Sequence, residues 1–276
     1  MAVIDLHAHS TASDGVLSPS DLVARAAARG VHVLALTDHD TLAGLTEAAR
    51  AGEAAGMRIV PGCEISASFG TIAVHVVGLQ IDPESAPLCT GLAQVRTGRA
   101  ERARRMARSL EEAGVAGAYE GARQYVTDEH LLSRTHFARF LVERGHAPDV
   151  ARVFRRFLVP GKPGYVAHRW ATLSESVGWI KSAGGHAVLA HPGRYRLTRT
   201  GMRRLLAEFR DCGGDALEVV SSSHTSAQYE EYATHARVFG LRASLGSDYH
   251  APDESWMELG GLPRLPAGTI PVWQDW

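Results

Sequence analysis

Short apolar runs and longer amphipathic stretches alternate along the chain. AVIDLH, VHVLALTD, MRIVPGCEISA and TIAVHVVGL are rich in aliphatic and β-branched residues and predict strands. Between the first two, LSPSDLVARAAARG has helical spacing, with Ser18 as N-cap, Pro19 at the first helical position and Gly30 closing the helix. TLAGLTEAARAGEAAG predicts a second helix. From Ser85 the pattern changes: GRAERARRMARSLEEAG, HLLSRTHFARFLVERG and DVARVFRRFLVPG are all helical in spacing, with no strand between them. After GKPGYV the alternation resumes, with helix TLSESVGWIKSAGG, strand HAVLAHP, helix GMRRLLAEFRDCGG, strand ALEVVSSS, helix TSAQYEEYATHARVFG and strand LRASLGSD. Strands alternating with helices predict a parallel sheet, either a barrel or an open doubly wound sheet. The helical stretch divides the chain into an α/β body of residues 1–94 and 165–276 and an insertion of residues 95–164.

Composition narrows this only locally. A chain of 276 residues, 45% hydrophobic, suits one large domain carrying an insertion, and a net charge of -1 points to neither nucleic acid nor membrane. Residues 95 to 160, however, hold 13 Arg, no Lys and 8 acidic residues, so this segment is +5 and the rest of the chain -6. A basic insertion set against an acidic body suits an anionic substrate held between them, although a solvated Arg-rich helix would carry the same charge. Cys63, Cys89 and Cys212 form no CxxC pair, which fits a reduced, cytoplasmic protein. Candidate ligands already at residue 7 leave no room for a cleavable leader, and no apolar run approaches the ~18 residues of a membrane span. No membrane association and no obligate protein partner are expected.

The chemistry gathers at strand ends, which form the functional face of α/β folds. In DLHAHSTASDG, His7 and His9 are two apart on a strand and point the same way, so both can face one ion. The second strand ends in Thr37-Asp38-His39-Asp40 and the third runs into Cys63-Glu64. His75 lies within the fourth, and later strands end in Ala190-His191-Pro192 and in Asp248-Tyr249-His250. Cys63 should point away from Glu64 across the strand.

Other residues are candidates for holding substrate. Ser133, Arg134 and His136 lie at the start of an inserted helix, where backbone N–H groups and a guanidinium make a phosphate clamp. Lys162 in the turn PGKPG offers a second cation, and Arg194 follows His191 on the same loop. Ser221, Ser222 and His224 follow a strand onto the same rim, and His224 is the candidate proton donor to the leaving oxygen. His32, His130, His146, His168, His186 and His235 read as structural or exposed. The arginines from Arg96 to Arg108 wrap around their helix and form no stripe.

The motifs DLHAHSTASDG, LTDHDT, GCEIS, VHVVGL, LAHP and GSDYH resemble, in order, those of the polymerase and histidinol phosphatase (PHP) family. That resemblance implies a distorted seven-stranded β/α barrel carrying two or three divalent metals. His7, His9 and Asp248 would bind one ion, and Glu64 would bridge to a second held by His75 and His191. Asp14, His39 and His250 would bind a third, and Glu64 and Asp248 would be the catalytic carboxylates. Mixed imidazole and carboxylate ligands suit Mn²⁺, Zn²⁺ or Fe²⁺ without choosing among them, and Mn²⁺ is the expected metal. SRTHFARFLVERG and VFRRFLVPGKPGYV are similar to the inserted region of the branch containing nucleoside 3′,5′-bisphosphate phosphatases and 5′-end-directed exoribonucleases. The resemblance thus implies a phosphoesterase acting on a small anionic nucleotide and on short 5′-phosphorylated RNA. A histidinol-phosphate phosphatase and a non-catalytic, metal-stabilised binding module are the alternatives.

Overall fold

A computed structural model describes residues 2–255 and 257–276. Strands β1 (Ile4–Asp5), β2 (Val33–Leu36) and β3 (Arg58–Phe69) pair in parallel. Helices α1 (Pro19–Ala28) and α2 (Leu45–Ala55) connect them. Ser18 caps α1 by accepting the Asp21 N–H, with Pro19 in the first turn.

The sheet then departs from the all-parallel expectation. β3 and β4 (Ile72–Leu79) are joined by a tight turn at Gly70, whose φ of 58° is the left-handed conformation glycine tolerates best. So short a turn can only return the chain antiparallel, and β4 also runs antiparallel to its other neighbour, β6 (His186–Leu189). The two-residue β5 (Ala171–Thr172) pairs with β3, off the main path. Parallel pairing resumes through β7 (Ala216–Ser221) and β8 (Arg242–Gly246). Beyond the ladder, Leu6 N–H donates to Leu245 O at 3.2 Å and Asp248 N–H to His7 O at 2.8 Å, so the seven strands of the main path nearly close into a barrel.

Helices α7 (Leu173–Ser182), α8 (Arg199–Asp211) and α9 (Ser226–Phe239) cover the second half of the barrel. Their apolar faces join the largest core cluster through Val177, Leu205, Phe209 and Ala236. Inside the barrel, Leu6, Val60, Val77 and Val188 meet Val272 from the C-terminal segment.

The long helix α3 (Ala86–Glu112) runs straight through the expected boundary at residue 95. Its first turns, through Leu88 and Leu92, belong to the barrel core, while Ala103, Met106 and Leu110 belong to a separate cluster. That cluster also takes residues from α4 (Ala118–Arg123), α5 (Arg134–Glu143), α6 (Val150–Val153) and the π-helical turn Phe154–Leu158. The helical layer is therefore rooted in the barrel by one continuous helix. Among the described residues no helix is long and apolar enough to cross a membrane.

Candidate metal centre and arginine pocket

The C-terminal ends of β1, β2, β6 and β8 deliver His7, His9, His39, His191, Asp248 and His250 to one rim. Glu64 and His75 arrive differently. β3 continues past the rim, so Glu64 lies mid-strand, bridged to His39. Because β4 runs the other way, its early residue His75, paired with Ser66, is the one at rim height. Gly246 makes room, since a Cβ there would stand 2.1 Å from His7 Cβ.

Glu64 is the hub. Its Oε1 is 2.7 Å from His75 Nδ1 and 2.8 Å from His191 Nε2. Its Oε2 is 3.3 Å from Nε2 of both His7 and His9 and 3.0 Å from His39 Nδ1. Asp248 Oδ1 lies 3.1 Å from His9 Nε2 and 3.5 Å from His7 Nε2. Asp14 Oδ1 lies 3.3 Å from His250 Nε2 and 3.9 Å from His39 Nε2. Three groups have ligand atoms close enough to share an ion: His7, His9, Glu64 and Asp248; His9, Asp14, His39 and His250; and His39, Glu64 and His75. The third group differs from the expected one in bringing His39 to Glu64 and His75.

The donor set fits divalent cations. His7 Nε2, both nitrogens of His9, Asp14 Oδ1, His39 Nδ1 and Glu64 Oε2 are buried without a well-formed hydrogen bond, a cost that a cation would offset. The charges are strongly coupled as well. Burial alone would depress His7 and His9, but Glu64, Asp248 and, for His7, Glu218 outweigh it. His7 is held well above its ordinary value and His9 rises to about 10. Burial would raise the three carboxyls, but surrounding imidazoles, with Arg194 for Asp248, hold Asp14, Glu64 and Asp248 well below the usual range. Burial dominates for His191, which falls to about 4.

Outer contacts fix this geometry. Glu218 Oε1 is 3.0 Å from His7 Nδ1, and its Oε2 accepts the His191 N–H at 2.5 Å. Asp38 accepts from Ser10 N–H, Ser10 Oγ and Ser13 Oγ, which holds the loop between His9 and Asp14. Tyr195 donates to Ala190 O and accepts from the His75 N–H, tying β4 to β6 at the rim. His191 and Asp248 adopt positive φ, 25° and 53°, a strained backbone at the point of function.

A cavity of about 440 Å³ opens over this centre. The barrel forms one side, and Arg99, Arg102, Ser133, Arg134 and Phe154 of the helical layer, with Tyr165 just beyond it, form the other. Arg99 is tied to Asp40 and Ser66, whereas Arg102 uses only its Nε, donating to Val166 O at 3.1 Å. Arg134 lies over the Phe154 ring at 5.6 Å and has no ion pair among the described residues. Burial, then Arg134 and Arg99, lowers Arg102 to about 9, and burial also lowers Arg134. Trp170 lies beneath both Arg99 and Arg102, at 5.1 and 5.6 Å. Guanidiniums gathered with too few carboxylates are a site for an anion.

The remaining candidates separate. Ser133 caps α5 and donates to Asp14 Oδ2 at 3.0 Å. His136 is fully buried, accepts the Ser133 N–H through Nδ1 and is pushed by burial to about 4; it completes the helix cap and does not line the cavity. Arg194 reaches Asp248 Oδ2 at 2.5 Å and lines the cavity. Lys162 is exposed and away from the lining. Ser221 is buried and Ser222 half-buried, and neither lines the cavity. His224 is a correction. Its Nδ1–H donates to Val219 O at 3.1 Å and its Nε2 accepts the Gly193 N–H at 3.1 Å, so it has no proton free for a leaving group. Thr225 caps α9.

Four residues outside the sequence-based candidates stand at the cavity or directly behind its cluster. Glu218 is an acidic residue inside the apolar run ALEVVS, a signal that was available. Arg99 and Arg102 stand three apart on α3, on one face, although the surrounding arginines disguise it. His168, read as structural or exposed, lines the cavity with its Nδ1 3.3 Å from Arg105.

The PHP domain model matches residues 5–211, and the chain belongs to that family. It is 50% identical to a "3′,5′-nucleoside bisphosphate phosphatase" of Chromobacterium violaceum, over 100% of this chain and 96% of the relative. It is 45% identical to a "5′-3′ exoribonuclease Rnm" of Salmonella typhimurium, over 99% of this chain and 94% of the relative. A solved structure of an amidohydrolase from Chromobacterium violaceum, with bound sulfate and no metal, superposes with a TM-score of 0.96 at 50% identity. It covers 99% of this chain and 95% of that one.

Proposed function

We propose that this protein is a metal-dependent phosphoesterase that removes the 3′-phosphate of nucleoside 3′,5′-bisphosphates, leaving the nucleoside 5′-monophosphate. By the same chemistry it would shorten 5′-phosphorylated oligoribonucleotides one nucleotide at a time. The observation that carries this reading is one cavity with a dense imidazole–carboxylate cluster on the barrel side and under-neutralised guanidiniums on the helical side. A substrate with two phosphates separated by a ribose fits such a pair of sites. Histidinol phosphate, whose second charged group is an amine, does not.

His7, His9, Glu64 and Asp248 would hold one divalent ion, Glu64, His75 and His191 a second, and Asp14, His39 and His250 a third, with Mn²⁺ our first choice of metal. Such ions, when bound, neutralise the phosphoryl oxygens and lower the pKa of coordinated water toward ~7. The chain's own residues do the rest. Arg102 and Arg134 grip the 5′-phosphate, and Trp170 and Phe154 hold those guanidiniums in place by stacking. Arg194, beside Asp248, is placed to meet an oxygen of the phosphate under attack. Water adds to phosphorus, the bond to O3′ breaks, and the electron pair leaves on O3′, which takes up a proton. In RNA the same P–O3′ bond breaks, so the departing chain keeps a 5′-phosphate. In this reading residues 95–164 act as a cap carrying the second phosphate site.

The test is product analysis with adenosine 3′,5′-bisphosphate in Mn²⁺. Release of phosphate with accumulation of 5′-AMP is expected; 3′-AMP as the product, or preferential turnover of histidinol phosphate, would overturn the reading.

A further inference from the structure

On that reading of the activity, the RNA beyond the scissile bond has to leave the metal centre on the side away from the arginines that hold the 5′-phosphate. The loop after β6 leads outward from the centre. Arg194 touches Asp248, Arg196 lines the cavity, and Arg199 and Arg203 follow on α8. Residues 191 to 210 hold six Arg against a single acid, Glu208, a local net charge of +5 within an otherwise acidic body. Among the described residues, ion pairs in this segment engage only Arg194, with Asp248, and Arg210, with Asp211. Among the described residues Arg196, Arg199 and Arg203 have no carboxylate partner and all are exposed.

Their placement works against helix stability. Arg199 opens α8 at the positive end of the helix dipole, no acidic residue occupies that first turn, and Arg203 stands four residues on, on the same face. Met202, Leu205, Leu206 and Phe209 bury the adjoining face of the helix in the core. Arg203 lies over the Phe239 ring at 5.8 Å, which orients its guanidinium while leaving N–H edges for a phosphate. A second basic surface, around Arg152 and Arg156, is already committed. Arg152 pairs with Asp149, Arg156 donates to His146 O, and the hollow they line shares no residue with the catalytic cavity.

We propose that Arg196, Arg199 and Arg203 form a phosphate-tracking path that carries single-stranded RNA out of the active site over α8. Binding there is electrostatic and indifferent to base, so each lost contact should reduce the dependence of log K on log salt by ~0.7.

The experiment is fluorescence anisotropy of a 5′-phosphorylated, 3′-fluorescein octauridylate on the metal-free full-length protein, titrated across salt. It compares wild type, R199Q/R203Q and R152Q/R156Q. The first double variant should lower the salt slope by about 1.4 and weaken binding roughly 25-fold at 0.1 M salt, with the loss vanishing near 1 M. R152Q/R156Q should bind like wild type. No salt-dependent binding by wild type, an unchanged slope in R199Q/R203Q, or a greater loss in R152Q/R156Q would overturn the path. Mn²⁺-dependent turnover of adenosine 3′,5′-bisphosphate by the same proteins keeps the two ideas apart. Normal turnover with an unchanged slope removes the path alone, whereas absent turnover by wild type removes the functional reading.

Discussion

The two sides of the cavity solve opposite electrostatic problems. On the barrel side, Asp14, Glu64 and Asp248 are buried among six histidines, and each group's charge is answered by a neighbour within about 4 Å. On the helical side, Arg102 and Arg134 are left with little but each other, an aromatic ring and a backbone carbonyl. The first side offers buried lone pairs that suit cations; the second offers guanidinium N–H groups that suit an anion. A single ligand that carries phosphate at both ends, with divalent ions beneath one of them, answers both needs.

The largest expected effect comes from the hub. Glu64→Gln keeps the shape of the side chain but removes the charge shared by five imidazoles. Activity should fall by more than about 10²–10³-fold, the scale of losing a preorganised electrostatic group, while circular dichroism stays native. Retained turnover would show that the barrel side is not the reactive one.

The proton balance of the same side gives a second prediction. In metal-free protein His9 titrates near 10, against an ordinary 6.5, and His7 is raised as well, so both carry protons at neutral pH. Ion binding has to displace them, and apparent metal affinity should rise with pH by up to about tenfold per unit for each proton released. The sign for folding is the reverse. A pKa raised in the folded state stabilises fully below 6.5 and is lost as pH climbs toward about 10, so the metal-free protein should melt at progressively lower temperature over that window. Metal titrations and thermal melts across pH check both, and a flat profile in either would contradict the assigned couplings.

The smallest effect separates the site from its scaffold. His224→Leu should change kcat by less than about threefold yet cost about 1–3 kcal/mol of stability, because buried Val219 O and half-buried Gly193 N–H lose their hydrogen bonds. A large fall in kcat with unchanged stability would restore His224 as a proton donor.

The same contrast explains what could be read in advance. Candidate ligands such as His7, His9, His191 and Asp248 sit where strands end, and strand ends are visible as apolar runs that stop. The family motifs fix the same positions. His75 was found through its motif although its strand runs backwards, a direction set by a two-residue turn that the alternation of elements does not reveal. The arginine side was harder to read. Which faces of α3 are buried depends on packing against α5, the π-helical turn and the segment through Trp170, all distant in sequence, so Arg99 and Arg102 looked no different from Arg104, Arg105 and Arg108. Arg134 was legible because a helix N-terminus announces itself through Ser133. His136 and His224 were misread for a related reason. A polar residue beside a site is often spent on satisfying backbone, and only the distances tell.

In the proposed function the two sides grip two different phosphates of one substrate. The most direct measurement is kcat/KM for adenosine 3′,5′-bisphosphate and for 3′-AMP, in wild type and in Arg134→Ala. A charge-assisted contact contributes about 1.5–3 kcal/mol, so the variant should lose about 10- to 100-fold on the bisphosphate, mainly through KM, and change little on 3′-AMP. Equal losses on both substrates would mean that Arg134 serves the reacting phosphate or the fold, and the division of the cavity would be wrong.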